Sequence, residues 1–379
     1  KLVATIEKPI CKNLLPRRSD FLIRLSEIII VPKMTDLQQK SFHERIGDSN
    51  LAALWVGREG VDLSKPKSPA QAVLWPFDLV RPDLMEAGNL VTAEEAFRRV
   101  LVLENPAFSG EMRATNTLYA GLQLVLPGEI APCHRHSQTA LRFVIEGRGA
   151  YTTVDGERAW LEPGDFVITP CWGWHDHGNK GNEPVIWLDT LDTPLVDLLD
   201  TVFRENYPET QQPIVKPDGD SLVRYGSGML PLNYCSKTLS SPVFKYPYNR
   251  ALAALKAAGR AENWDPYQGL KLEYINPVTG GPATPSMSAS LQLFPDNFKG
   301  AEFRSTDSVI YCVAEGEGTT FVQDQRIDWK EKDVFVVPGW KKHRHQNVDS
   351  AVLFSVSDRP VHQKLELWRE EKFDDQISG

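Results

Sequence analysis

The stretch PCHRHSQTALRFVIEG, residues 132–147, sets two histidines one residue apart and follows them with Arg142 inside an otherwise apolar run. A strand alternates its side chains between faces, so His134 and His136 point one way while Cys133 and Arg135 point the other. Two imidazoles on one face are either a two-ligand bite for a metal ion or a pair of structural histidines. The stretch by itself leaves both open.

Working outward, two segments align with each other: VIEGRGAYTTVDGERAWLEPGDFVITPCWGWHDHGN (144–179) and VAEGEGTTFVQDQRIDWKEKDVFVVPGWKKHRHQN (313–347). Each passes through a glycine turn and a second strand to a tryptophan, an acidic turn, an apolar strand, a proline and H-x-H-x-N. Short β-branched or alternating strands broken by Gly, Asp-Gly and Pro-Gly turns are the pattern of a small barrel or sandwich. The chain is therefore expected to be mainly β, with two β-barrel domains: 101–200, which carries the first histidines, and 286–379. Residues 34–100 are expected to form an N-terminal arm with helices, in TDLQQKSFHERI and in TAEEAFRRVLVLE, where Thr92 and Glu95 have capping-box spacing. Residues 201–285 are read as a linker with one helix, in YNRALAALKAAGR. Residues 1–33 lack an initiator methionine, and Met34 is read as a start with leader or vector-derived sequence before it.

The composition, 41% hydrophobic and 24% charged over 379 residues, is that of an ordinary folded protein. A formal net charge of −8 argues against nucleic acid or an anionic membrane as the partner, since both need a basic surface. The apolar runs are too short to span a bilayer and no secretory signal opens the chain, so the expected location is cytoplasmic. Five scattered cysteines without CxxC spacing fit reduced thiols rather than a disulfide framework or a zinc ribbon.

In the first copy, Gly128 is followed after five residues by His134, then His136 and later Gly147; Gly164 is followed after five by Pro170, then His175 and Asn179. This spacing resembles the two signature motifs of the cupin superfamily. The resemblance implies a bicupin, two jelly-roll β-barrels behind an N-terminal helical arm, with His134, His136 and His175 converging on one metal. The usual cupin glutamate ligand has Ala140 in its place, and Arg142 lies two residues on, on the same face. In the second copy Phe303 and Ser305 stand where the first two histidines belong, so His343 and His345 are read as structural or interdomain groups.

A closer resemblance is to the gentisate, salicylate and 1-hydroxy-2-naphthoate 1,2-dioxygenases. It is carried by LPGEIAPCHRHSQTALRFVIEGRGAYTTVDGE, PGDFVITPCWGWHDHGN with WLDTLDTP behind it, the upstream RRVLVLENP, and GLKLEYINPVTGGPATPSMSASLQLF. It implies an Fe(II) enzyme with O2 as co-substrate, which opens the ring of a small aromatic hydroxy acid between its carboxyl- and hydroxyl-bearing carbons, and a homotetramer. Gentisate, giving maleylpyruvate, is the first-choice substrate; salicylate and 1-hydroxy-2-naphthoate are the alternatives. By the same resemblance Arg142 meets substrate or oxygen, or else pairs with a glutamate such as Glu146. Arg98 or Arg99 is the upstream substrate arginine, and His177 takes the phenol proton or steadies oxygen, or is a hydrogen-bonding histidine behind the ligands. Asp189 and Gln123 sit at the pocket edge, with Asp189 orienting His177. Tyr119, Trp172 and Trp174 wall the ring or are plain core. Manganese or zinc cupin enzymes want the missing glutamate, and a non-catalytic bicupin binding protein needs neither metal nor Arg142.

Overall fold

A strand buried on both faces reads as a continuous apolar run, because neither face has water to meet. Ala140–Glu146 is such a strand. A computed structural model of the chain describes residues 35–56, 63–236, 238–260 and 264–373. In it Ala140, Arg142 and Val144 turn into a barrel, while Leu141, Phe143 and Ile145 join a core shared with a second barrel.

The first barrel is a sandwich of two antiparallel sheets. One has the order Lys245–Tyr246, Phe166–Thr169, Ala140–Glu146, Val185–Leu191, Tyr119–Val125, Val100–Val102; the other runs Arg204–Asn206, Ile130–His136, His175–Asn179, Ala150–Val154, Glu157–Trp160. The second barrel repeats both orders. Its six-stranded sheet is Val73–Trp75, Val334–Val337, Val309–Glu315, Ala351–Ser357, Ser288–Phe294, Leu270–Glu273, and its five-stranded sheet is Gln325–Lys330, Glu317–Val322, His343–Gln346, Glu302–Ser305, Glu370–Phe373. The fold is thus mainly β and bicupin.

The repeat extends upstream of the two aligned segments. Val73–Trp75, which precedes the first barrel, adds to the sheet of the second, and Lys245–Tyr246, which precedes the second, adds to the sheet of the first. A helix follows each, Phe77–Leu90 and Tyr248–Gly259. Both helices are tied the same way: the Phe77 amide donates to Asp333 Oδ1 at 2.8 Å, and the Tyr248 amide to Asp165 Oδ1 at 3.0 Å. The helix in 248–260 was expected; Phe77–Leu90 was not.

In a separate unit, Asp36–Gly47 is helical, as TDLQQKSFHERI suggests, and begins at a capping box between Thr35 and Gln38. The helical reading of TAEEAFRRVLVLE is corrected. Thr92 and Glu95 do bond reciprocally, Thr92 N to Glu95 Oε2 at 3.0 Å and Glu95 N to Thr92 Oγ1 at 3.1 Å, but they close only a turn. Phe97 at φ 60° ends it, and Val100–Val102 pairs as a strand with Gly121–Gln123. Sheet pairing and burial of the following side chains outweigh a helix propensity of tenths of a kcal/mol, about 0.7 at most per ordinary residue. Residues 1–33, read as leader or vector sequence, lie outside the described residues, as does Cys11. Cys133, Cys171, Cys235 and Cys312 are free thiols. Among the described residues no helix is long and apolar enough to cross a membrane.

The two six-stranded sheets pack face to face. Phe143 of the first barrel stacks on Phe354 of the second at 4.2 Å between ring centroids and 10° between planes, and Phe354 also meets Phe166 at 5.5 Å. Phe354→Ala is expected to cost about 3–5 kcal/mol of stability, as aromatic truncations in a close-packed core do. The urea midpoint measures it, and a loss under about 1 kcal/mol, the range of ordinary surface changes and mild substitutions, would mean that the two barrels are held together elsewhere.

Candidate metal centre and substrate pocket

Register brings the histidines together. His134 lies directly opposite His175 where Ile130–His136 pairs with His175–Asn179. The three rings lie 4.3 Å (134–175), 4.8 Å (136–175) and 5.2 Å (134–136) apart between centroids, and their ligand atoms all fall within 4.8 Å of one another. Each Nδ1 faces a backbone carbonyl: His134 that of Pro132 at 3.2 Å, His136 that of Gln138 at 2.8 Å, His175 that of Gly173 at 3.0 Å. A proton on Nδ1 answers each carbonyl and leaves Nε2 as a lone-pair donor, the tautomer a metal ligand needs. His175 Nε2 is buried and bonded to nothing in the protein.

The electrostatics agree with ligation. Burial first, then the Arg98 cation, pushes His134 down to about 2; burial and then Arg142 push His136 down to about 4; burial carries His175 well below the usual imidazole range. All three are neutral at pH 7. Three imidazoles without a protein carboxylate suit a divalent transition metal and leave its charge uncompensated. Ala140, at the place of the usual glutamate, is fully buried.

Beside the histidines opens a cavity of about 810 Å³, lined among others by Phe97, Arg98, Tyr119, Gln123, Arg142 and Asp189. Arg142 and Asp189 are cross-strand partners, and the Arg142 Nε lies 3.0 Å from Asp189 Oδ1. Arg142 Nη1 donates to Thr169 Oγ1 at 2.6 Å, and Nη2 has no protein partner among the described residues. Burial lowers the Arg142 pKa against the pull of Asp189, and raises that of Asp189 against Arg142. Glu146, the other candidate partner, is taken by Arg81 at 2.6 Å and Lys332 at 3.2 Å.

The ambiguity between the two upstream arginines resolves by alternation. Arg98 lines the cavity, with Nη2 2.8 Å from His134 Nδ1 and 3.1 Å from the Pro132 carbonyl. Arg99 points to the opposite face, is only 2% exposed, and forms an ion pair with Glu129. His134 Nδ1 cannot accept from Arg98 and donate to Pro132 at once. Ligation through Nε2 would put the proton on Nδ1, leaving Arg98 its bonds to the Phe97 and Pro132 carbonyls.

Two further expectations are corrected. Trp172 and Trp174 do not line the cavity. They face outward with Arg135, whose guanidinium lies 4.5 and 4.4 Å from their ring centroids, and they brace Phe203 and Tyr207 at 4.5 and 4.9 Å. Nor does Asp189 orient His177. His177 Nδ1 meets Thr152 Oγ1 at 3.0 Å, while its buried Nε2 has no partner and its ring packs on Trp187. Asp189 is already committed to Arg142. In the second barrel His345 Nδ1 meets Thr320 Oγ1 at 2.8 Å, so this brace belongs to the fold in both copies.

Tyr119 and Gln123 do face the cavity; burial, then Asp189, raises the Tyr119 phenol, which stays a protonated donor. Sequence reasoning missed Phe97, whose ring meets His134 edge-on at 4.9 Å, and Arg204, which lies 4.2 Å over the same ring. Met112 and Phe203 also line the cavity. Phe97, Met112 and Phe203 come from irregular segments and Arg204 from a three-residue edge strand, where neither periodicity nor motif points to a site.

Residues 121–191 match the family model described as Cupin domain. The chain is 52% identical over 335 residues to gentisate 1,2 dioxygenase 1 of Aquipseudomonas alcaligenes, covering 88% of this chain and 96% of that one. It is 37% identical to 5-aminosalicylate 1,2-dioxygenase of Comamonas sp, covering 89% and 91%. Among solved structures, salicylate 1,2-dioxygenase of Pseudoaminobacter salicylatoxidans with gentisate superposes at a TM-score of 0.84 and 28% identity, covering 92% of this chain and 97% of that one. With that likeness spanning both barrels, the chain belongs to the gentisate 1,2-dioxygenase family of ring-cleaving cupin dioxygenases.

Proposed function

We propose that this protein is an Fe(II)-dependent dioxygenase that opens an ortho-hydroxybenzoate between its carboxyl- and hydroxyl-bearing carbons, gentisate first among substrates. One observation carries the reading: three neutral imidazoles with no carboxylate among them share a cavity with two arginines, half-buried Arg98 and buried Arg142. Such a site is short of negative charge, and a substrate with carboxylate and phenolate on adjacent ring atoms supplies it. The 52% identity to a gentisate enzyme supports the substrate. Relatives named for 5-aminosalicylate and 1-hydroxy-2-naphthoate keep salicylates and hydroxynaphthoates as the second reading. Membership of an enzyme family and the lone-pair set at the histidines both speak against a non-catalytic binding protein. The buried Ala140 speaks against cupins that need a glutamate ligand.

His134, His136 and His175 would hold the iron, which when bound supplies a template and an electron path between the ring and dioxygen. The rest falls to side chains. Arg142 offers its free Nη2 to the substrate carboxylate or to oxygen, and Asp189 fixes the angle of that fork. Arg98 supplies the second cation. Tyr119 and Phe97 bound the ring, and Gln123 offers an amide at the pocket edge. His177, neutral and with Nε2 unpartnered, is assigned the phenol proton. A cytoplasmic homotetramer is part of the same reading, supported by the free thiols, the acidic charge and the family.

His134→Ala, His136→Ala and His175→Ala are each expected to lose iron and activity together, because a three-ligand site has no spare donor. His177→Asn should keep iron and lose turnover. Metal content after anaerobic purification reads both, and stoichiometric iron in any of the first three variants would overturn the ligand set. Arg142→Lys keeps the charge but loses the fork, so kcat should fall roughly tenfold or more with iron retained, the loss of a charge-assisted contact of about 1.5–3 kcal/mol. Parallel loss of iron would make Arg142 structural. Oxygen uptake with gentisate, salicylate and 1-hydroxy-2-naphthoate should give the highest kcat/KM for gentisate; a higher value for another acid moves the substrate assignment to it.

A further inference from the structure

The second barrel has lost the metal set but keeps a cavity at the corresponding mouth. Its register follows the first: Phe303 lies opposite His343 as His134 lies opposite His175. Lys271 sits on the edge strand opposite Gln292, just as Val100 lies opposite Gln123. Strand by strand, Tyr311 stands at the position of Arg142 and Ser355 at that of Asp189, since Tyr311 and Ser355 are cross-strand partners as Arg142 and Asp189 are. The cavity measures about 480 Å³, and Lys271, Ser288, Ser290, Ser355 and Arg359 line it.

Two features of this cavity are unexplained by the fold. Among the described residues Lys271 forms no hydrogen bond or ion pair; its ammonium lies 5.7 Å from the Tyr311 ring, and burial lowers its pKa to about 8. Arg359 likewise has no carboxylate within ion-pair distance among the described residues, and its guanidinium rests 4.1 Å over the Trp368 ring. The carboxylates at the cavity are otherwise engaged or lie at its rim. Asp307 accepts from Ser357 Oγ at 2.6 Å and from Trp368 Nε1 at 2.9 Å, Asp265 accepts from the Tyr267 and Gln268 amides, and Glu273 is exposed. The hydroxyls of Ser288, Ser290 and Ser355 have no protein partner among the described residues either, although all three residues are buried. Asp307 and Glu273 balance the two cations across the cavity without contact, and recessed cations with no direct partner, ringed by hydroxyl donors, are what an oxyanion needs.

We propose that the mouth of the second barrel is a binding site for a small oxyanion, a carboxylate or a phosphate, held by Lys271 and Arg359 with the three serine hydroxyls. The site is separate from the metal centre and takes no part in ring cleavage. It does not rest on the function proposed above, because its readout is binding.

Isothermal titration of the iron-loaded protein with maleate, and separately with inorganic phosphate, tests it. At least one anion should saturate below ~10 mM, and Lys271→Gln and Arg359→Gln should each weaken it roughly tenfold or more while leaving ring-cleavage kcat unchanged. Saturation by maleate alone assigns a carboxylate, and by phosphate alone a phosphoryl group; both support the site. Absence of saturable binding of either anion overturns it. So does binding that both variants retain at full affinity, since that anion would be seated on Arg98 and Arg142 instead. Arg359→Gln, on the rim, keeps the test decisive should Lys271→Gln fail to fold.

Discussion

The buried pair of Arg142 and Asp189 is the constraint on which the site depends. The two face each other across adjacent strands, with 3.0 Å between Nε and Oδ1 and 4 and 7% of their side-chain surfaces exposed. An ion pair so placed repays its desolvation poorly, and an apolar pair of similar volume often gives equal or better stability. Its retention in a strand that is otherwise Ala-Leu-x-Phe-Val-Ile is an argument for function. Arg98 adds a second cation to the same cavity. The pocket is a preformed deficit of negative charge beside three neutral ligands.

The sheets make that deficit tolerable. Ala140–Glu146 is held between Val185–Leu191 and Phe166–Thr169, so the Arg142 backbone is fixed on both sides. Its outward neighbours Leu141, Phe143 and Ile145 are locked against the second barrel. The second barrel thus serves the first as a packing partner, and the exchange of edge strands, Val73–Trp75 one way and Lys245–Tyr246 the other, joins the two.

Comparison of the barrels separates scaffold from chemistry. Both keep a threonine bracing the second histidine of H-x-H, and both keep a tryptophan at φ 62° whose amide reaches back to the neighbouring strand, Trp172 to His136 and Trp340 to Ser305. These features fold the mouth of a barrel. The His134–His136–His175 set and the Arg142–Asp189 pair occur only in the first, and they form the candidate metal centre and its pocket. His177 belongs to the scaffold by its Nδ1, while its Nε2 is buried without a partner.

Much of this was legible in the residues. The H-x-H spacing, the glycine and proline punctuation and the internal repeat determine the barrels, because strand periodicity and turn residues are local properties of the chain. The three candidate ligands follow from the motif spacing in the first copy and its resemblance to the cupins, and the strand register brings them together. Other features needed the fold. Alternation through RRV puts one arginine in the cavity and one on Glu129, but which is which depends on how the strand meets its neighbour. Trp172 and Trp174 look like cavity walls until the sheet turns them out toward Arg135. Thr92 and Glu95 make their cap whether or not a helix follows, and here the pull of sheet pairing ends it after a turn. The strand edges, the Phe97 and Arg204 wall and the partner of each buried charge come from residues far apart in the chain, and only packing decides them.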